Sequence, residues 1–157
     1  MSATAAVDAL TSTGVPHRVV RHEPVRSLAE AAEAIGVAVP DVVKTIVVRR
    51  GEGDFVFVLV PGDRVISWPK LRGLLGVNRL SLPDAAEAKA VTGYERGTIT
   101  PFGATTSWPV VADERILGRS ISLGAGAHGV AAVLDADEAV RALAATVADI
   151  TDPDRPR

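Results

Sequence analysis

The run Val42-Val-Lys44-Thr45-Ile-Val-Val-Arg-Arg50-Gly-Glu-Gly-Asp54-Phe-Val-Phe-Val-Leu-Val60 decides the fold class. β-Branched and aromatic residues fill both halves, and Gly51-Glu-Gly53 between them supplies a turn. The reading is a β-hairpin with strands over 43–50 and 54–60. Ile46, Val47 and Val48 in succession point to a strand buried on both faces.

On the N-terminal side, Ala5, Ala6, Ala9 and Leu10 recur at helical spacing, with Gly14 placed to close a helix over 4–13. His17 to Arg21 is a short strand. Ser27-Leu-Ala-Glu30 has the capping-box pattern of a helix that Gly36 stops. On the C-terminal side, Ser67 caps a helix carrying Leu71, Leu74 and Leu75, with Pro69 in its first turn. A further helix runs from Pro83 to Val91. Gly93 to Pro109 is loop, and Val110 to Ala112, Arg119 to Leu123 and Val130 to Leu134 are strands. A last helix starts at Asp135 and runs through Ala145. Hairpins outweigh strand–helix alternation, so the expected fold is α+β: a single domain with a mixed, largely antiparallel curved sheet flanked by helices. The domain is placed at 1–150, with 151–157 as a flexible tail.

The 157 residues, 47% hydrophobic and 23% charged, suit one soluble globular domain. Aromatics are few, so Val, Ile, Leu and Ala must fill the core. With no cysteine there is no disulfide framework, thiolate metal site or cysteine nucleophile. His17 and His22 stand alone, without a second ligand pair, so neither a metal nor another cofactor is expected. Met1 to Ala9 lacks the basic start of a signal peptide, and no apolar run approaches the roughly 20 residues of a membrane span. A cytoplasmic protein is expected. Net charge is −2, yet basic residues concentrate between Lys44 and Arg79 and acidic ones between Asp135 and Asp154, so a local basic face is open to the chain.

Three segments can carry chemistry. Lys44 stands at the entrance of the apolar strand; it either sits in a polar pocket or keeps its head in water at the strand end. Thr92-Gly-Tyr-Glu-Arg-Gly97-Thr-Ile-Thr-Pro101-Phe-Gly103 is a loop whose amides can align on a partly negative oxygen, or an ordinary crossover. Ser122-Leu-Gly124-Ala-Gly126-Ala-His128-Gly129 is a glycine-rich turn between strands, with His128 an orienting partner or a turn residue. It is neither a phosphate-binding Walker loop nor a dinucleotide fingerprint, since no Lys-Ser/Thr pair and no helix follow. A Gly-x-Ser-x-Gly elbow is absent.

The order of these segments, Val-Val-Lys44-Thr45, then Lys70-Leu-Arg-Gly-Leu-Leu-Gly76, then Gly97-x-x-x-Pro101-x-Gly103 and the turn at Gly124 to Gly129, resembles the YbaK/prolyl-tRNA-synthetase-associated editing family over about 15–150. The resemblance implies a trans-editing hydrolase that deacylates a mischarged aminoacyl-tRNA, here expected to be tRNA-Pro carrying Cys or Ala. It implies that Lys44 holds the substrate near the terminal nucleotide and that the Gly97, Thr98, Ile99, Thr100 and Pro101 loop offers amides to the ester carbonyl. Thr45, Gly103, Gly124, Gly126 and His128 are the substrate-binding candidates. Water attack would be substrate-assisted and metal-independent, which matches a chain without cysteine, triad or metal cluster. The implied partners are the acceptor end of a mischarged tRNA and, as a candidate, an aminoacyl-tRNA synthetase, with no membrane.

Some members of that family carry a serine and an acidic residue near the late turn, whereas Gly124 to Ala131 here has no carboxylate. Two competing readings stand beside the enzyme: a non-catalytic tRNA or aminoacyl-adenosine binding module, and an interaction domain without a nucleic-acid role.

Overall fold

In a computed structural model that describes residues 3–154, the elements run α1 (Ala3–Ser12), β1 (His17–Arg21), α2 (Leu28–Ile35), β2 (Lys44–Gly51), β3 (Asp54–Val60), β4 (Arg64–Ile66), α3 (Trp68–Leu75), α4 (Ala85–Thr92), β5 (Val110–Asp113), β6 (Ser120–Gly124), β7 (Val130–Asp135), α5 (Ala136–Ala142), β8 (Thr146–Ala148) and β9 (Thr151–Pro153). Short 3₁₀ turns occupy Val39–Asp41 and Glu114–Ile116. The caps follow the sequence logic: the side chains of Ser27, Ser67, Asp84 and Asp135 each accept from a main-chain N–H three residues on, and Gly36, Gly76 and Gly93 end α2, α3 and α4 in the left-handed region.

The domain is α+β, as expected, but its strands divide among three ladders. β1, β7 and β6 form one antiparallel sheet; β2, β3, β5 and β8 form a mixed one; β4 and β9 pair antiparallel. Within the mixed sheet β2 and β3 are the antiparallel hairpin read from the sequence, whereas β3–β5 and β5–β8 are parallel. A bridge between Val42 and Ser122 joins the first two sheets at one point.

β3 is the centre of the molecule, buried from Phe55 to Val60. Its alternating side chains feed two cores. Phe55, Phe57 and Leu59 join the larger one with Val43, Val47, Ile99, Phe102, Ile121 and Leu123. Val56, Val58 and Val60 join the smaller one with Val48, Leu71 and Ile150. The same alternation on β2 sends Thr45, between Val43 and Val47, toward the larger core, and sends Lys44 toward the β4 side.

Three expectations are corrected. The last helix ends at Ala142, not Ala145; Ala144 takes a φ of 51° and the chain turns into β8. The three-residue strands β4, β8 and β9 went unforeseen. The tail placed at 151–157 is ordered over Thr151–Pro153: Thr151 is buried, and its hydroxyl donates to the fully buried Asp113 at 2.8 Å. Asp113 also accepts from the Ile150 amide at 3.1 Å. Residues 155–157 lie outside the described range.

The β4–β9 pairing also brings the basic and acidic stretches together. Lys70 Nζ lies 3.1 Å from Asp149 and 3.4 Å from Asp152, and Arg64 donates to the Thr151 hydroxyl and carbonyl. Part of the expected basic face is therefore neutralised within the fold.

Candidate functional site

Where the first two sheets diverge, a cavity of about 640 Å³ opens between β2, β6, the start of β7, α2 and two glycine loops. Its walls are mostly small and apolar: Val42 and Val43 before β2, Ala31 and Ile35 from α2, Leu123 from β6, Val130 and Ala131 from β7. Its polar groups are Lys44, Thr45, Ser122, His22 and His128, beside Ile99 and the glycines Gly97, Gly124 and Gly129. No carboxylate lines it among the described residues.

Lys44 is half-buried and lines the cavity, and its ammonium, instead of resting free in water, donates to the Arg64 carbonyl at 2.9 Å. Partial burial pushes its pKa below the ordinary lysine value, opposed by the nearby charges of Asp154 and Asp63. Thr45 lines the cavity from the other face of the strand, and its buried Oγ1 has no hydrogen-bond partner. A buried hydroxyl without a partner costs about 1–3 kcal/mol, so this atom stands out.

The Gly97-to-Pro101 loop does not face the cavity as one unit. Gly97 and Ile99 line it; Thr98, Thr100 and Pro101 do not. The Thr98 amide and hydroxyl both donate to the Glu95 carbonyl, at 2.9 and 2.7 Å, and the Thr100 hydroxyl accepts from the Phe102 amide at 3.3 Å. These two threonines shape the loop from within. Gly97 holds a φ of 90°, which favours glycine, and a Cβ placed there would stand 3.6 Å from His128 Cε1.

Gly103 lies outside the cavity: a Cβ there would meet the Ala5 carbonyl oxygen at 2.5 Å and the Tyr94 hydroxyl at 2.8 Å, so its place is in packing against α1. Tyr94, fully inside, donates to the Phe102 carbonyl at 2.7 Å and anchors the same loop. Gly126 is also outside, and its amide donates to Thr98 O at 3.0 Å, tying the two glycine loops together. Gly124 and His128 do reach the cavity; His128 is largely exposed, with Nε2 3.6 Å from Glu95.

Sequence reasoning missed His22, Ser122, Gly129 and the α2 face. His22 donates its amide to Gly129 O at 2.8 Å, an approach that only the β1–β7 register creates, and no local motif announces it. Ser122 is 1% exposed, and the Val43 amide donates to its carbonyl at 2.9 Å. Among the described residues no group of three His, Cys, Asp or Glu side chains is placed to hold a metal ion, and no helix is long and apolar enough to cross a membrane.

Comparison with known proteins gives this geometry a context. The profile of a family described as the aminoacyl-tRNA editing domain matches residues 22–142. The proline–tRNA ligase of Trichlorobacter lovleyi is 35% identical over 88 residues, 56% of this chain and 15% of that enzyme. The proline–tRNA ligase of Acidithiobacillus ferrooxidans is 34% identical over 109 residues, 69% of this chain and 19% of that enzyme. The chain thus spans less than a fifth of the length of these relatives. A crystal structure described as a candidate trans-editing enzyme for prolyl tRNA synthetase superposes with a TM-score of 0.88 at 28% identity, covering 96% of each chain.

Proposed function

Since the chain belongs to the aminoacyl-tRNA editing domain family, we propose that it is a free-standing deacylase that hydrolyses the ester joining a wrong, small amino acid to the terminal ribose of a tRNA. The observation that carries this reading is the meeting of Lys44, of Gly97 and Ile99, and of Gly124, His128 and Gly129 around one cavity without a lining carboxylate.

In this reading water adds to the ester carbonyl carbon, the bond to the ribose oxygen breaks, and the amino acid and the tRNA 3′ hydroxyl leave. No side chain of the cavity supplies a thiolate or a carboxylate, and the resemblance to the family implies that the substrate itself, through a ribose hydroxyl or its own side chain, assists the water. The ester is already activated, and orientation plus carbonyl stabilisation suffices. The main chain at Gly97 and Ile99, not the Thr98 amide that is spent on Glu95, faces the carbonyl oxygen. Lys44 has three N–H donors and uses one on Arg64, which leaves two for the terminal nucleotide. The tRNA is tRNA-Pro, in line with the proline–tRNA ligase relatives, and Cys or Ala is the amino acid expected from the sequence.

The test is loss of label from mischarged tRNA-Pro with the purified chain alone, with and without EDTA. Hydrolysis well above the enzyme-free rate in both is the expected result. Tight binding without hydrolysis would make the chain a non-catalytic tRNA-binding module instead, and activity that only zinc restores would overturn the metal-free reading.

A further inference from the structure

We propose that Thr151, in the last strand, is a positioning residue for Lys44: backed by Asp113, it fixes the Arg64 carbonyl on which the lysine's ammonium rests. This deepens the deacylase reading above and rests on it. Thr151 lies outside the 22–142 stretch that matches the editing-domain profile.

The connection is continuous in hydrogen bonds. Lys44 Nζ donates to the Arg64 carbonyl at 2.9 Å. The Arg64 guanidinium donates through Nε to the Thr151 hydroxyl at 2.7 Å and through Nη2 to the Thr151 carbonyl at 3.2 Å. The Thr151 hydroxyl in turn donates to Asp113 Oδ2 at 2.8 Å, and both of these residues are fully buried. A hydroxyl that accepts on one side and donates on the other cannot give way to an apolar group without breaking both links.

Ladder geometry explains why Arg64 needs this support. The Asp154 amide donates to the Asp63 carbonyl and the Ser67 amide to the Ile150 carbonyl, so residues 63 and 67 bond across to β9. Alternation in an antiparallel pair then turns the Arg64 N–H and C=O away from β9. The amide goes to the Pro61 carbonyl and the carbonyl takes Lys44. What holds Arg64 to β9 is therefore its side chain, through Thr151. On the other side, a Cβ at Gly62 would run into the Val39 and Val42 carbonyls, so the turn before Arg64 is seated on the segment leading into β2. Arg64 is clamped between that turn and Thr151. The same end of the ladder carries Asp63 and Asp154, whose charges favour the Lys44 ammonium against its burial.

The experiment measures the Kd of a non-hydrolysable aminoacyl-adenosine phosphate, together with melting temperature. The proteins are wild type, Thr151→Val, Thr151→Ser, Arg64→Met, Lys44→Met and the Lys44→Met/Thr151→Val double variant. Thr151→Val should melt lower, because buried Asp113 loses a donor, and should weaken binding about fivefold, the fold-change of one ordinary hydrogen bond. Thr151→Ser should bind as the wild type does. In the Lys44→Met background Thr151→Val should change Kd by less than about twofold, because the lysine that it positions is gone. Arg64→Met leaves the Thr151–Asp113 bond in place, so it decides the matter if Thr151→Val does not fold, and it should weaken binding to the same degree. An equal loss in both backgrounds would make Thr151 a residue of the fold alone, and wild-type affinity in a folded Thr151→Val or Arg64→Met protein would break the chain; either overturns the proposal. A wild type that neither binds the probe nor releases any amino acid from mischarged tRNA-Pro removes the deacylase reading itself, which is a different result.

Discussion

Lys44 Nζ reaches across to the Arg64 main-chain oxygen, 2.9 Å away, so the lysine that closes one side of the cavity also ties β2 to β4. Burial lowers its pKa from the usual 10.5. The native state thus holds the charged form less well than the unfolded chain does. That penalty is present below the native pKa and is relieved as pH rises through it toward 10.5. The same titration should weaken ligand binding. Affinity for a non-hydrolysable aminoacyl-adenosine phosphate should fall with a midpoint below 10.5, and Lys44→Met should abolish that limb. A profile flat to that pH in the wild type would show that the ammonium does not hold the nucleotide.

The loop from Gly97 to Pro101 yields a graded series. Gly97→Val should be the most damaging to activity, because its φ of 90° is strained for a β-branched residue and the new side chain enters the cavity mouth. Thr98→Ala and Thr100→Ala each remove a hydroxyl that braces the loop from inside, and should cost about 0.5–1.5 kcal/mol of stability while most activity survives. Melting curves and deacylation rates on the same samples separate the two effects. Normal melting and parental activity in Gly97→Val would take the loop out of the site.

Asp113 should be among the most sensitive positions away from the cavity. It is fully buried and accepts from the Ile150 amide, the Thr151 hydroxyl and Arg115. Asp113→Ala strands those donors, and a loss of about 3 kcal/mol is expected in denaturant unfolding. A loss under about 0.5 kcal/mol would mean that the Asp113 hydrogen bonds do not hold the Ile150–Thr151 segment in place.

Salt should weaken tRNA binding only modestly. Lys70 faces Asp149, Arg50 faces Asp54 and Arg64 donates to Thr151, so three of the clustered cations are already committed. A slope of log affinity against log salt equivalent to a few phosphates is expected; a slope for six or more would reveal a far larger footprint.

Elements with a strong internal pattern were legible in the sequence: the β2–β3 hairpin, the capped α2 and α3, and the strands flanking the late glycine turn. β4, β8 and β9 were not, because three residues such as Thr151-Asp-Pro153 carry no period and pair only through a partner far along the chain. The site divides the same way. Lys44, Gly97 and Gly124 stand in motifs that announce themselves. His22 and Ser122 reach the cavity only through sheet register. Gly103 and Gly126, read as substrate-binding from their place in glycine-rich segments, sit where backbones approach each other. Composition shows that a glycine is needed, not which neighbour needs it.

The most direct test of the central claim is single-turnover deacylation of one tRNA-Pro charged in turn with proline, alanine, cysteine and serine, with no synthetase present. The expected result is rapid release of at least one small wrong amino acid, a spared prolyl ester, and loss of that activity in a folded Lys44→Ala protein. Release no faster than the enzyme-free rate for all four esters, or full activity in Lys44→Ala, would contradict the account.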